Sequence, residues 1–582
     1  MSFKANPDGS FVYLPDAPQS LAAPGAAGST ESRGEPSYHV HGRIYTLSGD
    51  GKEEIRRIAE DPRSLNSMES DASIVWHDPR DDTVRCIRDA VGATPVYYAR
   101  TRKGWAVSFS LGTILPLMDQ KPTPREDTLY DFLATHYRYI FRDPRRTFHE
   151  GVMQVPAGHQ LTLSGAKAEL EPWLDLSFDP EPATLGVQEA ADRYLFMLRE
   201  NVSLRLSALA SSGFAFTVSS GLDSSTIAAL ASDILGAPVE CWYVGYSSAK
   251  GSPYDETRGV QALTGAKGWA LHPLDLDSPE LVRETSQLMD RTLAPLATVT
   301  WMAGGVLARN AAESGCAYLF SGLGGDESLA GEFDHFMYFF ADLYRDGHEA
   351  LLERETAHWA RLHDHPVFRK SPEIRDAYFK RIMDFKTGEI KVDLTRYSQN
   401  RAWFDEDWVR TMETVIPPPP MPRPYPYFLS NRLYQEMTYE TSPPTLWSEH
   451  LSSSANWVKG VFPMASPRLF RFALSLPGTS KYENGLTKML VRRSVKGLLP
   501  EYTRLNPVKT GFNVPLDAWL RNPATSKEVL DVIMGSPLPK TGWLAPGAAE
   551  KILSEHLAGI RNHMMLIWPL LSTALFLEKN KG

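Results

Sequence analysis

The sequence predicts an α/β protein of more than one domain: a mainly antiparallel N-terminal sheet unit, then strands alternating with helices in a parallel sheet, then a largely helical C-terminal part. Three observations carry this. The chain has 582 residues, more than one ordinary core holds. Short alternating apolar runs fill the first third. After a Pro- and Asp-rich stretch (DLSFDPEPAT) the period changes, and apolar strand-like segments alternate with helical ones.

The N-terminal stretch from Ser20 to Pro36 is rich in Gly, Ala, Pro and Ser, which leaves little to bury and predicts a loose segment. From Tyr38 to Pro172, runs such as SIVWHD, TVRCIRD, PVYYAR, WAVSFS and HQLTLS lie between turn signals at Asp78-Pro79 and Lys103-Gly104. Trp173 to Thr184 reads as a linker. A long helix is expected over Gln188 to Leu209, a strand over Phe214 to Ser219 and a helix over Ser224 to Leu235, stopped by Gly236 and Pro238. A strand over Val239 to Tyr246, helices near Glu256 to Leu263 and Gly304 to Glu313, and a strand over Ala317 to Phe320 follow. Beyond Asp334 the pattern is helical, broken by a loop at Pro417 to Pro420. The division is therefore 1–37 loose segment, 38–172 sheet domain, 173–186 linker and 187–582 α/β and helical domain. A parallel sheet places its site at the carboxyl ends of its strands.

Composition narrows the class. The net charge of −9 gives no surface for coating nucleic acid. The longest apolar run, Met564 to Leu577, contains Pro569, Ser572 and Thr573 and is too short to span a bilayer, so no membrane insertion is expected. Three cysteines, Cys86, Cys241 and Cys316, form no disulfide or CxxC pattern. With no signal-peptide core at the N-terminus, a cytoplasmic location is expected.

The chemistry lies in two loops. Ser219-Ser220-Gly221-Leu222-Asp223-Ser224-Ser225 joins an apolar strand to a helix. Small residues permit a tight turn, the helix start presents N–H groups to an anion, and the serines add hydroxyl donors, which suits pyrophosphate. Asp223 fits beside phosphates only through a cation such as Mg²⁺. Taken alone, such a loop is also an ordinary serine-rich helix cap. Ser321-Gly322-Leu323-Gly324-Gly325-Asp326-Glu327, after a second strand, again ends small residues on an Asp. Two such loops in one sheet can hold a cation against one triphosphate.

These motifs carry a resemblance. SSGLDSS resembles the SGGLDSS pyrophosphate loop of asparagine synthetases and their relatives, the beta-lactam synthetases and lasso-peptide cyclases. FSGLGGDE looks like their second loop, PYDET like their YDE segment, and FALSLP and NGLTKMLVRRSVKGLLPEYTRLNPVKTGFNVPLDAWL like their C-terminal stretches. The resemblance runs from about Tyr38 to the end. It implies ATP and Mg²⁺ as cofactors, with Asp223 and Asp326 as metal ligands and Ser219, Gly221, Ser224 and Ser225 around pyrophosphate. It places Val218, Val244, Ser321 and Gly322 at the nucleoside, Lys509 over the adenylate and Lys488 near pyrophosphate. A cation at the acyl-phosphate would stabilise the oxyanion formed on amine attack. Two departures stand out: Ser220 replaces the family's first glycine, and Arg504 lies too far from Lys509 for the common RxK spacing.

The sheet domain resembles a class II glutamine-amidotransferase (Ntn-type) sandwich, through VRCIRDAVGATPVYYA and TFHEGVMQVPAGHQL. It is a degenerate one. Glutaminase chemistry there needs a cysteine at position 2, and this chain has Ser2. The resemblance thus implies that this domain is followed by a parallel-sheet ATP-pyrophosphatase synthetase domain with a helical C-terminal part. Leu323 replaces both the glutamate of asparagine synthetases and the tyrosine of beta-lactam synthetases, and an apolar side chain makes neither hydrogen bond. That directs the expectation to macrolactam closure of a precursor peptide, as in lasso-peptide cyclases, where an Asp or Glu side chain is adenylated and the N-terminal amine attacks. Such a pathway implies a leader peptidase and a leader-binding protein as partners. The alternatives are an amide synthetase for a small carboxylic acid and an inactive scaffold. His39 and His41, and His363 and His365, lack ligand partners at sensible spacing and read as surface residues, and Asn201-Val202-Ser203 is discounted as a glycosylation site.

Overall fold

The computed structural model describes residues 2–5, 11–14, 37–45, 51–135, 138–140, 142–252, 254–277, 280–362, 372–384, 389–390, 400–415, 421–508 and 514–581. Ser20 to Pro36, His363, His365, Pro417 to Pro420 and Lys509 lie outside them.

The N-terminal domain is a sandwich of two antiparallel five-stranded sheets. One orders β1 (Ser2–Ala5), β2 (Phe11–Leu14), β6 (Tyr97–Thr101), β7 (Gly104–Ser108) and β8 (Val152–Gln154) as β2-β1-β7-β6-β8. The other orders β3 (Ser37–His41), β4 (Ser73–Asp78), β5 (Thr83–Ile87), β9 (His159–Ser164) and β10 (Lys167–Pro172) as β10-β9-β5-β4-β3. Alternation explains the core: Val84 and Cys86 of β5 face Val96, Tyr98 and Val107 from the opposite sheet. The span read as a loose segment differs in part. Residues 2–5 and 11–14 form a hairpin whose Ser2 and Phe3 pair with Ser108 and Val107. The alternating SFKA and FVYL supply strand residues that the Gly- and Pro-rich stretch after them lacks.

A helix Val187–Leu209 opens the second domain. Its sheet is parallel throughout: β11 (Phe214–Thr217), β12 (Glu240–Gly245), β13 (Ala270–Asp275), β14 (Tyr318–Phe320) and, beyond a small hairpin of β15 (Met383–Asp384) and β16 (Glu389–Ile390), β17 (Lys459–Val461), in the order β13-β12-β11-β14-β17. The expected strands and helices are present with slightly shifted ends, the helix after β11 running Leu222–Leu235 and that before β14 running Val299–Glu313. Two strands escaped the sequence, β13, interrupted by Pro273, and the three-residue β17. Both lie at sheet edges, where a proline or a short run is tolerated. Successive residues take opposite faces. Phe216, Cys241, Tyr243 and Phe320 enter the core shared with helices Val187–Leu209 and Leu222–Leu235, while Ala215, Trp242, Val244 and Leu319 face helix Val299–Glu313. The site lies on that second face.

The two domains are tightly joined. Arg205 meets Glu69 at 3.5 Å with both side chains 2% exposed, Lys459 meets Asp71 at 3.1 Å, and the Trp447 indole donates to the Tyr97 hydroxyl at 2.9 Å. His39 is buried, so it sits inside the molecule rather than on its surface, and the half-buried His41 stacks on Phe109 and meets His450 edge-on. Burial lowers His39 to about 4, which keeps it neutral. Asn201 is fully buried and donates to the Pro463 carbonyl, which leaves no room for a glycan.

Candidate active site

Each strand-end loop is shaped by its own side chains. In the first, Ser219 and Gly221 N–H groups donate to Ser224 Oγ and Ser219 Oγ, each at 3.1 Å, and the Ser219 and Ser224 hydroxyls lie 3.0 Å apart. Gly221 starts the helix Leu222–Leu235 in extended conformation and Asp223 falls in its first turn, where the helix dipole favours a carboxylate. Ser220 is held from outside the loop. Its N–H and hydroxyl both donate to Glu256 Oε1, at 3.0 and 2.6 Å, and Glu256 belongs to PYDET. The serine in place of the usual glycine therefore anchors the loop to the next strand-end segment.

The second loop presses its backbone onto the first. A Cβ on Gly322 would come 2.5 Å from Ser224 N and 2.6 Å from the Asp223 carbonyl carbon, so only glycine fits. Gly331 is as tight: its Cβ would lie 1.8 Å from Asp326 Oδ1 and 2.4 Å from Lys488 Cε. Between the loops stands the Lys488 ammonium. It is paired with Asp223 Oδ2 and lies 2.7 Å from Asp326 Oδ1, and Lys488 itself adopts a left-handed φ of 57°. A non-glycine residue there is uncommon, and it aims the side chain between the two carboxylates.

These groups line one cavity of about 200 Å³. Val218, Ser219, Gly221, Asp223, Ser224, Val244, Ser321, Gly322, Asp326 and Lys488 all contribute, as does Leu323. Ser225 does not: it is fully buried and its hydroxyl donates to the Gly221 carbonyl at 2.6 Å, which braces the helix start. Trp242, Thr300, Trp301, Gly304, Leu307, Leu319, Glu449 and Arg492 also line the cavity, and none of these was singled out from sequence. Arg492 has a bracing role, donating to the carbonyls of Thr487 at 2.7 Å and Asn506 at 2.9 Å and to that of Arg504, which fixes the segment at the cavity mouth. Burial lowers it to about 10. Arg504 donates back to the Arg492 carbonyl at 3.0 Å and forks onto Glu501, so it is occupied in structure.

The fit to a divalent cation rests on donor chemistry. Two carboxylates from different loops converge on one cationic group, and hard oxygen donors of this kind suit Mg²⁺. Another carboxylate–histidine group, Asp334, His335 and Glu436, is a poorer cage, because Arg432 and Arg138 bring positive charge onto Glu436 at 2.6 and 3.7 Å. No cysteine provides a nucleophile: Cys86 and Cys241 are buried, Cys316 is half-buried, and burial pushes all three thiols up. No helix among the described residues is long and apolar enough to cross a membrane.

Comparison with known proteins matches this architecture. Residues 63–174 match the glutamine amidotransferase domain model. Asparagine synthetase [glutamine-hydrolyzing] 1 of Bacillus subtilis (strain 168) is 30% identical over 117 residues, a match covering 20% of this chain and 18% of that protein. Residues 196–578, which contain both loops and Lys488, match the asparagine synthase model, and the chain belongs to the asparagine synthase family.

Proposed function

We propose that this protein activates a carboxylate with ATP as an acyl-adenylate, releases pyrophosphate, and joins the acyl group to an amine with release of AMP. The observation that supports this best is the convergence of Asp223 and Asp326, from two strand-end loops, on one cationic position beside the serine-lined helix start. Asp223 and Asp326 would hold Mg²⁺, which supplies neutralisation of the charge on pyrophosphate. The Ser219 and Ser224 hydroxyls and the N–H groups that open the helix Leu222–Leu235 receive the phosphate oxygens, Val218 and Val244 border the nucleoside, and the wall of Trp301, Leu307 and Leu323 excludes water from the acyl group. Lys509 is assigned to the adenylate from the family's lysine-bearing stretch, where its charge stabilises the oxyanion on amine attack.

In its finer form the reaction is macrolactam closure within a precursor peptide, the N-terminal amine attacking an adenylated Asp or Glu side chain. Leu323 supports this by removing the polar group that would grip a free amino acid. A second reading, condensation of a small carboxylic acid with an amine, is favoured by the modest cavity of about 200 Å³. Mass spectrometry of the protein with ATP, Mg²⁺ and a panel of Asp- and Glu-containing peptides and small acids separates the two. Loss of one water from a peptide, with its N-terminal amine and one Asp or Glu side chain consumed in the product, supports the cyclase, and turnover of small acids alone supports the second reading. ADP and phosphate as the stoichiometric products would overturn both.

A further inference from the structure

Glu449 has no place in the nucleotide chemistry, yet it lines the same cavity. It stands on the helix Ser442–Ser454, which packs on the helix Val299–Glu313. Facing it, Gly304 withholds a side chain: a Cβ there would come 3.5 Å from Glu449 Oε2, and its absence leaves space beside the carboxylate. Thr300, Trp301 and Leu307 on the facing helix carry no charge. Among the described residues, no side chain forms a hydrogen bond or ion pair with this carboxylate. The accessible part of this partly buried residue therefore opens on the cavity.

A partly buried carboxylate given no counter-charge by the described residues is costly. The charged side chains of the described residues around it are engaged elsewhere. Lys488 serves Asp223 and Asp326, Arg492 the mouth carbonyls, Lys459 pairs with Asp71, Arg432 with Glu436 and Glu440, and Arg291 bonds Ala455 and Asn456. His450 beside it is held neutral by burial. Burial alone raises Glu449 to about 7. One carboxylate among apolar walls has too few oxygens for a divalent cation, which takes six or more. It suits a compact monocation with several N–H donors.

We propose that Glu449 is the recognition group of an acceptor subsite that takes a primary alkylammonium, so that the amine joined by this protein enters as a positively charged organic group of its substrate. This rests on the amide-forming reading and adds to it the charge in which the amine is bound; the ammonium loses a proton to solvent before its nitrogen attacks. The carboxylate must be ionised and the ammonium, with its ordinary value near 10, protonated, so binding is strongest between about pH 7 and 10.

The probe is n-butylammonium, with n-butanol as its uncharged counterpart. Binding is followed by saturation-transfer NMR on the full-length protein with and without ATP and Mg²⁺, which needs no knowledge of the natural substrate. The wild type is expected to prefer butylammonium over butanol at pH 8, with the ammonium signal falling about tenfold by pH 6 as the carboxylate protonates. Glu449→Gln, which keeps shape and removes charge, should abolish the preference while leaving the butanol signal unchanged. No preference in the wild type, no loss at pH 6, or a preference retained in a folded Glu449→Gln protein each overturns the proposal. The pH series on the wild type does not depend on the variant folding. Failure of the amide-forming reading shows separately, as ADP and phosphate in the product assay.

Discussion

At the residue scale the site turns on two carboxylates and the absence of two side chains. Asp223→Asn and Asp326→Asn each remove a charge that would face the cation and pyrophosphate. Either change should cut ATP–pyrophosphate exchange by about 10²–10³ with the fold intact. Exchange with the acid found in the product assay, alongside thermal melting, checks this, and near-normal exchange in both variants refutes the assignment. Gly331→Ala is a subtler test. Its new Cβ would overlap Asp326 Oδ1, at 1.8 Å, so the carboxylate must swing away from its place between the loops. A displacement on the order of 1 Å costs about 10²-fold in rate. The expected outcome is a defect in exchange that exceeds any loss of ATP binding without Mg²⁺, and normal exchange would show that Asp326 is not held to this position.

At the element scale, the helix that begins at His335 is locked to the turn at Glu436 by a buried ion pair of 2.7 Å, with Arg432 on the same carboxylate. Burial opposes the charge on His335, but the neighbouring Glu436 charge and hydrogen bond overcome it and raise the imidazole above its ordinary 6.5. Burial likewise opposes Glu436, and the charges of Arg432 and His335 bring it down to about 2. The histidine's contribution is complete below 6.5 and fades as pH rises through the raised value. The glutamate's is complete above 4.5 and is lost as pH falls through about 2. Both operate together between about pH 4.5 and 6.5. His335→Leu should destabilise the protein by about 3–5 kcal/mol in that window, as removal of one partner of a buried pair does. Urea denaturation across pH measures it, and equal losses at pH 5.5 and 9 would show that charge is not the cause.

At the scale of the whole molecule, the amidotransferase-like sandwich is part of the protein's architecture and not an appendage. Arg205–Glu69, Lys459–Asp71 and Trp447–Tyr97 cross the boundary, and the buried Glu69 also accepts from Ser466 of the second domain at 2.9 Å. Charges buried across a boundary penalise separation, because each partner would have to open together with the other. Differential scanning calorimetry should therefore give one unfolding transition that includes both domains, and two resolved transitions would contradict this.

The sequence by itself determined the α/β class, the order of an antiparallel unit before a parallel one, and the two loops ending on Asp223 and Asp326. Each of these is local: a period of two or 3.6, a glycine-rich turn, a helix start. It also singled out Lys488, through the resemblance of GLTK, and the structure sets that ammonium between the same two loops. Tertiary structure decided what local pattern cannot encode. Edge strands β13 and β17 carry too few residues or a proline, so their pairing is visible only once their neighbours exist. Ser220 looked like a loss of glycine and became an anchor because Glu256, from another strand end, reaches it. Ser225 looked like a phosphate ligand and instead turns onto the Gly221 carbonyl. Glu449 reads as any solvated helix glutamate in SEHLSS, and only the packing of its helix across Gly304 brings its carboxylate into the cavity, because burial and charge are properties of what surrounds a residue and not of its place in the chain.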